Sequence, residues 1–150
     1  MSQRLPAPNR QDFFVFRTVP TRWMDNDVYG HVNNVVYYSW FDTVVNGYLI
    51  EATGIDIRKL EHIGVVAETS CRFFESVSFP QSLDVGLAVE RLGTRSITYR
   101  LGVFGQHNQS AAALGSFVHV YVDATTRNTV PIPSIILKVV APLVAGSKIY

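Results

Sequence analysis

Reactive side chains are concentrated in one short segment, residues 22–34, which reads Arg-Trp-Met-Asp-Asn-Asp-Val-Tyr-Gly-His-Val-Asn-Asn. Two carboxylates, a glycine, an imidazole and three carboxamides lie in the segment from Asp25 to Asn34. A positioned carboxylate acts as a general base or as a nucleophile in acyl transfer, and a nearby imidazole can orient it or its water. The segment therefore predicts a reaction site with Asp27 as base or nucleophile and His31 as its assistant.

The same segment ends where the sequence predicts a long helix. Apolar residues follow steps of three and four, which is the spacing of one helical face, and a second apolar row indicates that the helix is buried. We expect Asn33 or Asn34 to be the N-cap and Gly54 to end the helix. The first face comprises Tyr37, Phe41, Val44, Val45, Tyr48 and Leu49, and the second row comprises Val36, Trp40 and Val44.

The start of a helix suits the same chemistry. Its first N–H groups lack partners within the helix and carry partial positive charge, so they stabilise an oxygen that becomes anionic in a transition state. Asp27, a few residues upstream, would face this spot from the other side. Gly30 allows the backbone to turn or to approach a ligand closely.

Two other interpretations of the segment stay open at this point. Asp25 and Asp27 are also typical cap and turn residues, and His31 could form a hydrogen bond within a loop. Asp25, Asp27 and His31 could instead hold a metal ion. The sequence offers no His-rich or Cys-containing set elsewhere to complete such a site, so we expect no metal.

The rest of the chain predicts a sheet. Residues 12–22 are rich in aromatic and β-branched types and indicate a strand that ends near Pro20. From Gly64 onward the period changes to two, and short connections separate four strands, which favours an antiparallel meander. Residues 134–145 suggest a short terminal helix. The alternating segments are 65–73, 83–90, 97–103 and 116–123.

These elements predict an α+β fold in which a curved antiparallel sheet of about five strands wraps around one long buried helix. With 150 residues, the chain suits a single domain, residues 1–150. Such a sheet leaves exposed edges that invite pairing with a second copy, so we expect a homodimer or homotetramer.

Composition excludes several classes of function. A formal net charge of +1, with the thirteen lysines and arginines spread along the chain, argues against a nucleic-acid partner. No apolar run reaches the length of a membrane span or of a signal peptide, so the expected location is the cytoplasm. Cys71 is the only cysteine and we expect a reduced, unreactive thiol. Asp42 interrupts an apolar helix face, which predicts a place either at a subunit interface or near the substrate.

The pattern Trp-x-Asp-x-Asp-x-x-Gly-His-Val-Asn-Asn-x-x-Tyr resembles the signature of the 4-hydroxybenzoyl-CoA thioesterase-like hot-dog family. That family includes bacterial acyl-CoA thioesterases, and the plant acyl-carrier-protein thioesterases are its relatives. The order of elements is similar as well, so the resemblance spans roughly residues 12–125. It implies a hot-dog fold and hydrolysis of an acyl-CoA, with no cofactor because the coenzyme A is part of the substrate.

The resemblance also implies roles for individual residues. The second carboxylate of the pattern, Asp27, matches the family's catalytic aspartate, and Asp25 matches the one that supports the loop. The position of Asn34 implies a backbone N–H that polarises the thioester carbonyl. His31 matches a histidine that the plant relatives use, although this chain has Tyr29 where they have asparagine.

Substrate-binding residues follow from the same comparison. Gly30 and Asn33 are expected to line the substrate site. The turn between the second and third meander strands matches a region where some family members bind the phosphates of coenzyme A, which makes Arg91 and Arg95 candidates; two solvated turn arginines are the other interpretation. The alternatives to an acyl-CoA thioesterase are an acyl-carrier-protein thioesterase, a hot-dog enoyl-CoA hydratase and a non-catalytic acyl-CoA binder.

Overall fold

A five-stranded antiparallel sheet that packs against one long helix forms the body of the protein. The computed structural model describes residues 6–145. The predicted α+β hot-dog fold is confirmed, including the strand before the helix and the short helix near the C-terminus. The elements are β1 (Val15–Pro20), α1 (Asn34–Thr53), β2 (His62–Phe73), β3 (Ser82–Leu92), β4 (Ser96–Gly105), β5 (Ala113–Asp123) and α2 (Ser134–Val140), with 3₁₀ turns at Arg10–Asp12, Trp23–Asp25, Ile57–Lys59 and Ala141–Leu143.

The strand order is β1-β3-β4-β5-β2, which corrects one sequence prediction. Strands β3, β4 and β5 do form a meander, but β2 pairs with β5 rather than with β3. The connection 74–81, whose short length predicts a hairpin, therefore crosses from β2 at one edge of the sheet to β3, which is the second strand from the other edge. It passes the start of α1, where the Val77 carbonyl accepts a hydrogen bond from the Val32 N–H at 2.8 Å.

A β-bulge at Ala67 interrupts the alternation of β2 that the sequence predicts. The pairing with β5 shifts by one residue between Val66 and Glu68. Because directly paired residues share a face of the sheet, Gly64, opposite Tyr121, lies on the same face as Cys71, opposite Gly115. An odd separation in sequence thus places both residues toward α1.

The predicted helix is confirmed, and its two ends have the expected caps. Asn33, not Asn34, is the N-cap: its side-chain oxygen accepts a hydrogen bond from the Val35 N–H at 3.2 Å. Gly54 ends the helix in the left-handed region with φ 72°, and its N–H donates to the Ile50 carbonyl at 2.9 Å. The buried face comprises Tyr37, Trp40, Phe41, Val44, Val45 and Leu49.

This helix face packs on the inner face of the sheet. Strand β5 contributes aromatic rings and a histidine to this face, while Val118 and Val120 point to the other side and are half-buried. A smaller apolar cluster around Phe13 and Phe104 covers part of the outer face. The inner face is formed by Leu83, Val85, Leu87, Val89, Ile97, Tyr99, Leu101, Val103, Phe117, His119 and Tyr121. Among residues 6–145, no helix is long and apolar enough to cross a bilayer.

Helix and sheet are in close contact where Gly115 of β5 lies beneath Phe41. A β-carbon at Gly115 would overlap the Phe41 ring, which is fully buried and has no room to move aside. A β-carbon at Gly105 would instead lie nearest to the amide nitrogen of the exposed Asn108 side chain, at 2.9 Å. The two glycines therefore differ in what an added methyl group displaces.

We predict that Gly115→Ala lowers the free energy of unfolding by about 1–3 kcal/mol, because it overpacks the contact between α1 and the sheet. Gly105→Ala is the matched control and should change it by no more than about 0.5 kcal/mol, since a flexible surface side chain can move. Urea unfolding followed by circular dichroism measures both values. Equal effects in the two variants would contradict this packing account.

Candidate active site

A buried carboxylate anchors the segment that precedes α1. The side chain of Asp25 is only 1% exposed and accepts hydrogen bonds from the Arg22 backbone N–H at 2.8 Å and from Arg22 Nε at 2.9 Å. The backbone carbonyl of Asp25 accepts from the Asn33 N–H at 2.8 Å. Asp25 thus ties residue 22 to the N-cap of α1, which agrees with the supporting role expected for it.

Between these anchors the chain forms a tight loop. Asn26 and Val32 form an antiparallel bridge, and the Asp27 N–H donates to the His31 carbonyl at 2.8 Å. The Gly30 N–H donates to the Asp27 carbonyl at 3.1 Å, and Gly30 has φ 81°. Only glycine adopts that conformation without strain, so Gly30 allows the turn that brings residues 27 and 31 side by side.

The carboxylate of Asp27 is oriented by a backbone hydrogen bond rather than by an ion pair within the described residues. Its Oδ1 accepts a hydrogen bond from the Tyr29 N–H at 2.9 Å, which is an Asx-turn contact. Within residues 6–145, no arginine, lysine or histidine forms an ion pair with it. The side chain is half-buried. The turn interpretation and the functional interpretation therefore coexist, because this contact leaves most of the acceptor capacity of the carboxylate available.

The beginning of α1 leaves one backbone donor available. The Val35 N–H is satisfied by the Asn33 side chain, and the Val36 N–H donates to the Asn33 carbonyl at 3.0 Å. No group in the described part of the chain accepts a hydrogen bond from the Asn34 N–H. This N–H adds to the partial positive charge of the helix N-terminus, which favours a negative oxygen.

A cavity of about 710 Å³ brings these groups together. Four residues that the sequence predicts for the site line this cavity: Asp27, His31, Asn33 and Asn34. A second depression of about 550 Å³ lies on the other side of the loop, where Gly30 joins Asp27 and Asn33. The remaining lining residues of the larger cavity are Tyr29, Val32, Tyr37, Phe73, Phe74, Glu75 and Ser76.

Several of these lining residues were not selected from the sequence. Tyr37 lies one helical turn after Asn34 and is the last residue of the motif. Its place at the site could therefore have been predicted from the sequence. Phe73 packs edge-on against Tyr37, with ring centroids 4.9 Å apart. No motif or spacing in the sequence indicates that residues 73–76 line the site, because they reach the cavity only through the pairing of β2 with β5.

Arg91 and Arg95 lie at the other end of the sheet. The first residue of β3, Ser82, pairs with Pro20 near the Asp27 loop, and Arg91 follows nine residues later, roughly 30 Å along the strand. Arg95 lies in the β3–β4 turn, and its Nη1 donates to Thr129 Oγ1 at 3.1 Å. Within one chain both arginines are remote from the cavity, so their role at the phosphates stays a prediction that requires the site of a second copy.

Neither a metal centre nor a reactive thiol is supported by the geometry. The Asp25 side chain is engaged with Arg22, and residues 6–145 contain no group of three histidine, cysteine or carboxylate side chains placed to hold a metal ion. Burial raises the pKa of the Cys71 thiol to about 12, so it stays protonated near neutral pH. The expectation of an unreactive thiol agrees with this raised pKa.

Comparison with known families extends these observations. The sequence model of the thioesterase-like superfamily matches residues 19–140, which include the last two residues of β1, the Asp27 loop, α1 and all of β2 to β5. The chain belongs to the thioesterase-like superfamily. Membership supports thioester hydrolysis as the general activity of this protein. A search of curated proteins found no match.

Solved structures of similar fold add to the superfamily assignment. The PA5185 protein from Pseudomonas aeruginosa is 45% identical, with a TM-score of 0.90, over 95% of this chain and 100% of that one. Slr0204, a 1,4-dihydroxy-2-naphthoyl-CoA thioesterase from Synechocystis, is 13% identical, with a TM-score of 0.77, over 85% and 96%. The BH1999 gentisyl-coenzyme A thioesterase is 20% identical, with a TM-score of 0.73, over 83% and 98%. At such low identities the last two show a shared fold.

The two aspartates of the loop should differ in their effect on stability. We predict that Asp25→Asn lowers the free energy of unfolding by about 2 kcal/mol, because it removes charge-assisted hydrogen bonds from a buried group. Asp27→Asn should change it by no more than about 0.5 kcal/mol, since an amide oxygen can still accept from the Tyr29 N–H. Urea denaturation of both variants tests this, and a larger loss for Asp27→Asn would contradict the assignment of Asp25 as the anchor.

Proposed function

We propose that this member of the thioesterase-like superfamily hydrolyses acyl-coenzyme A thioesters in the cavity at the start of α1. One observation carries the proposal: Asp27 and Asn34 line the same cavity, and within residues 6–145 the Asp27 carboxylate has no ion pair and the Asn34 N–H has no acceptor. Thioester hydrolysis requires a base or nucleophile on one side of the carbonyl and a donor for its oxygen. The cavity supplies both groups.

In the proposed reaction, the thioester carbonyl oxygen accepts a hydrogen bond from the Asn34 N–H, which polarises the carbon. Asp27 either removes a proton from a water that attacks this carbon or attacks it directly. The tetrahedral intermediate expels the coenzyme A thiolate, which leaves readily and takes up a proton from solvent. On the direct route, water then hydrolyses the mixed anhydride formed with Asp27 and regenerates the carboxylate.

His31 is proposed to assist rather than to act as the principal base. Its side chain is exposed on the rim of the cavity, and it accepts or donates no hydrogen bond to the described residues. Its backbone carbonyl holds the Asp27 N–H, so the two residues are neighbours across the turn. From that position the imidazole can order the attacking water beside Asp27.

The cavity wall suggests where the substrate lies. A volume of about 710 Å³ is within the usual range of small-molecule sites. Tyr37 and Phe73 form an aromatic side of the wall, which suits the acyl group, while Asn33 caps the helix next to the reacting carbonyl. Acyl groups carried on an acyl carrier protein present the same thioester, so a panel that includes both carriers is needed to define the substrate.

We further propose that the protein is a homodimer paired through β2, or a homotetramer built from two such dimers. This strand has twelve residues, pairs with β5 on one side only, and lies at the edge of the sheet. Val66 in the middle of the strand is 48% exposed, although it is apolar and faces the helix side. A long free edge with an exposed apolar side chain is typical of strand pairing between copies.

We predict that Asp27→Ala and Asp27→Asn lower kcat for acyl-CoA hydrolysis by about 10²–10⁴, the range for a positioned base. His31→Ala should cause a smaller loss. Thiol release from acyl-CoAs of different chain length, and from aromatic acyl-CoAs, measures these rates.

The matched control is Glu51→Gln, which removes an exposed carboxylate of α1 that is paired with Arg17 at 2.8 Å, at the opposite end of the helix. It should hydrolyse acyl-CoA at the wild-type rate. Wild-type rates in both Asp27 variants would contradict the proposal, and loss of enoyl-CoA absorbance without thiol release would indicate a hydratase instead.

For the assembly, we predict a solution mass of two or four times the 16.8 kDa of the chain by analytical ultracentrifugation. Val66→Glu should shift the equilibrium toward the monomer, because it adds a charge to the edge of β2 beside Glu68. Gln106→Glu, an equal change of charge in the exposed β4–β5 loop, should leave the mass unchanged. A monomeric wild-type protein would overturn the assembly proposal.

A further inference from the structure

A second cavity lies at the far end of α1. It is a partly open chamber of about 220 Å³ lined by residues of the second half of α1, the turn Ile57–Lys59, the start of β2, the end of β5 and α2. Its wall is apolar over much of its area but also carries imidazole, amide and hydroxyl groups. The lining residues are Asn46, Leu49, Ile57, Arg58, Leu60, His62, Ile63, Gly64, His119, Tyr121 and Ile136.

This chamber is separate from the Asp27 cavity within one chain. The two share no lining residue. Asn46 and Leu49 lie 12 and 15 residues beyond Asn34, roughly 18–22 Å along the helix. Buried side chains of α1, including Phe41 and Val45, fill the helix–sheet interface between them. The chamber is therefore not a continuation of the proposed reaction site of the same chain.

A buried polar atom in the chamber wall lacks a partner. His119 is 2% exposed, and its Nδ1 forms no hydrogen bond with the described residues. A buried polar group without a partner typically costs about 1–3 kcal/mol, so native proteins nearly always satisfy such groups. The ring is held by its aromatic neighbours Phe117 and Tyr99, at centroid distances of 5.1 and 5.7 Å. It therefore cannot easily turn toward water.

The space beside Nδ1 exists because residue 64 is a glycine. A β-carbon there would lie 3.0 Å from His119 Nδ1 and 3.2 Å from the Tyr121 ring. Gly64 lies in a strand with ordinary backbone geometry, since its φ is not positive. Conformation does not require glycine at this position, whereas the free space beside the imidazole does.

The charge of the chamber favours an uncharged occupant. Burial lowers the pKa of His119 to about 4, so its imidazole is neutral near pH 7 and can either accept or donate one hydrogen bond at Nδ1. Arg58 at the rim is paired with Asp56 at 2.9 Å. Leu49, Ile63 and Ile136 would contact the apolar part of an occupant.

We propose that this chamber binds a small, uncharged, mostly apolar group that ends in a hydroxyl, with the hydroxyl bonded to His119 Nδ1. A phenol or a short alcohol has this chemistry. A volume of about 220 Å³ suits a single ring or a short chain and is too small for a nucleotide. Nothing in this step depends on the proposed thioesterase activity.

Such a group has two sources: a free small molecule, or the end of an acyl chain whose thioester lies in the Asp27 cavity of a second copy. Antiparallel pairing of β2 with itself, centred on the strand, would set Gly64 opposite Cys71 of the second copy. The chamber of one copy would then lie next to the end of the other sheet that carries Phe73 and the reaction site. This second source rests on the proposed function and on the proposed dimer.

Binding is tested with phenol and toluene, which have nearly the same shape and differ in the hydroxyl. The full-length protein is titrated with each and followed by NMR at the Gly64 amide and the His119 imidazole. We expect phenol to bind about three- to tenfold more tightly than toluene, the ratio for one neutral hydrogen bond. In His119→Phe the preference for phenol over toluene should be lost. Gly64→Ala should weaken both at least tenfold.

The control Gly93→Ala adds the same methyl group in the β3–β4 turn, outside the chamber, and should bind both probes like the wild type. His119→Phe and Gly64→Ala test the binding site independently. If one variant folds poorly, the other still tests the proposal. Equal binding of phenol and toluene to the wild type, or unchanged phenol binding in a folded His119→Phe or Gly64→Ala variant, would overturn the proposal.

The source is decided by kinetics with a matched pair of substrates, phenylacetyl-CoA and 4-hydroxyphenylacetyl-CoA. If the acyl end occupies the chamber, His119→Phe lowers kcat/KM about three- to tenfold for the hydroxylated substrate only, and phenol inhibits competitively. If the occupant is a free molecule, the ratio of the two substrates stays the same in the variant while phenol still binds. Absence of any hydrolysis would refute the thioesterase proposal and leave the binding result standing.

Discussion

The closure of the loop 25–33 onto the start of α1 is the constraint on which the proposed site depends. The Asp25 carbonyl holds the N-cap residue, and the Asp25 carboxylate holds Arg22, so the loop is fixed at both ends by a buried group. Val77 fixes the same point from the sheet connection. Because the loop is held there, Asp27 lines the same cavity as Asn34, whose N–H has no acceptor among residues 6–145.

The proposed reaction site and the His119 chamber lie at opposite ends of α1. Asp27, His31 and Asn34 lie at the N-terminal end of α1, while the His119 chamber, Arg91 near the end of β3 and Arg95 in the β3–β4 turn lie near the opposite end. One chain cannot join these ends across a packed core. An antiparallel pairing of β2 between copies would place opposite ends beside each other, which is why the assembly matters to both proposals.

The sequence predicted what depends on neighbours in the chain. The extent of α1, its caps at Asn33 and Gly54 and the cluster around Asp27 all follow from local spacing and from the motif. The exchange of β2 to the far edge, the bulge at Ala67 and the lining by residues 73–76 did not follow, because strand pairing is decided by distant partners. The spacing of the predicted strands indicates a short turn at residues 74–81, whereas this segment crosses the sheet.

The burial of His119 also could not be predicted from the sequence. Strand β5 alternates valines with Phe117, His119 and Tyr121, and either face satisfies a period of two. Which face is buried depends on packing with α1, and the structure buries the aromatic and histidine side. The space beside His119 Nδ1, which has no partner among the described residues, becomes visible only once the pairing sets Gly64 opposite Tyr121.

The most direct test of the central claim is a crystal structure of Asp27→Asn bound to an acyl-CoA analogue in which a ketone replaces the thioester. The account predicts the ketone oxygen within about 2.7–3.1 Å of the Asn34 nitrogen, with residue 27 on the opposite side of the carbonyl carbon. A ketone bound elsewhere, or an oxygen that contacts neither Asn34 nor another N–H at the start of α1, would contradict it.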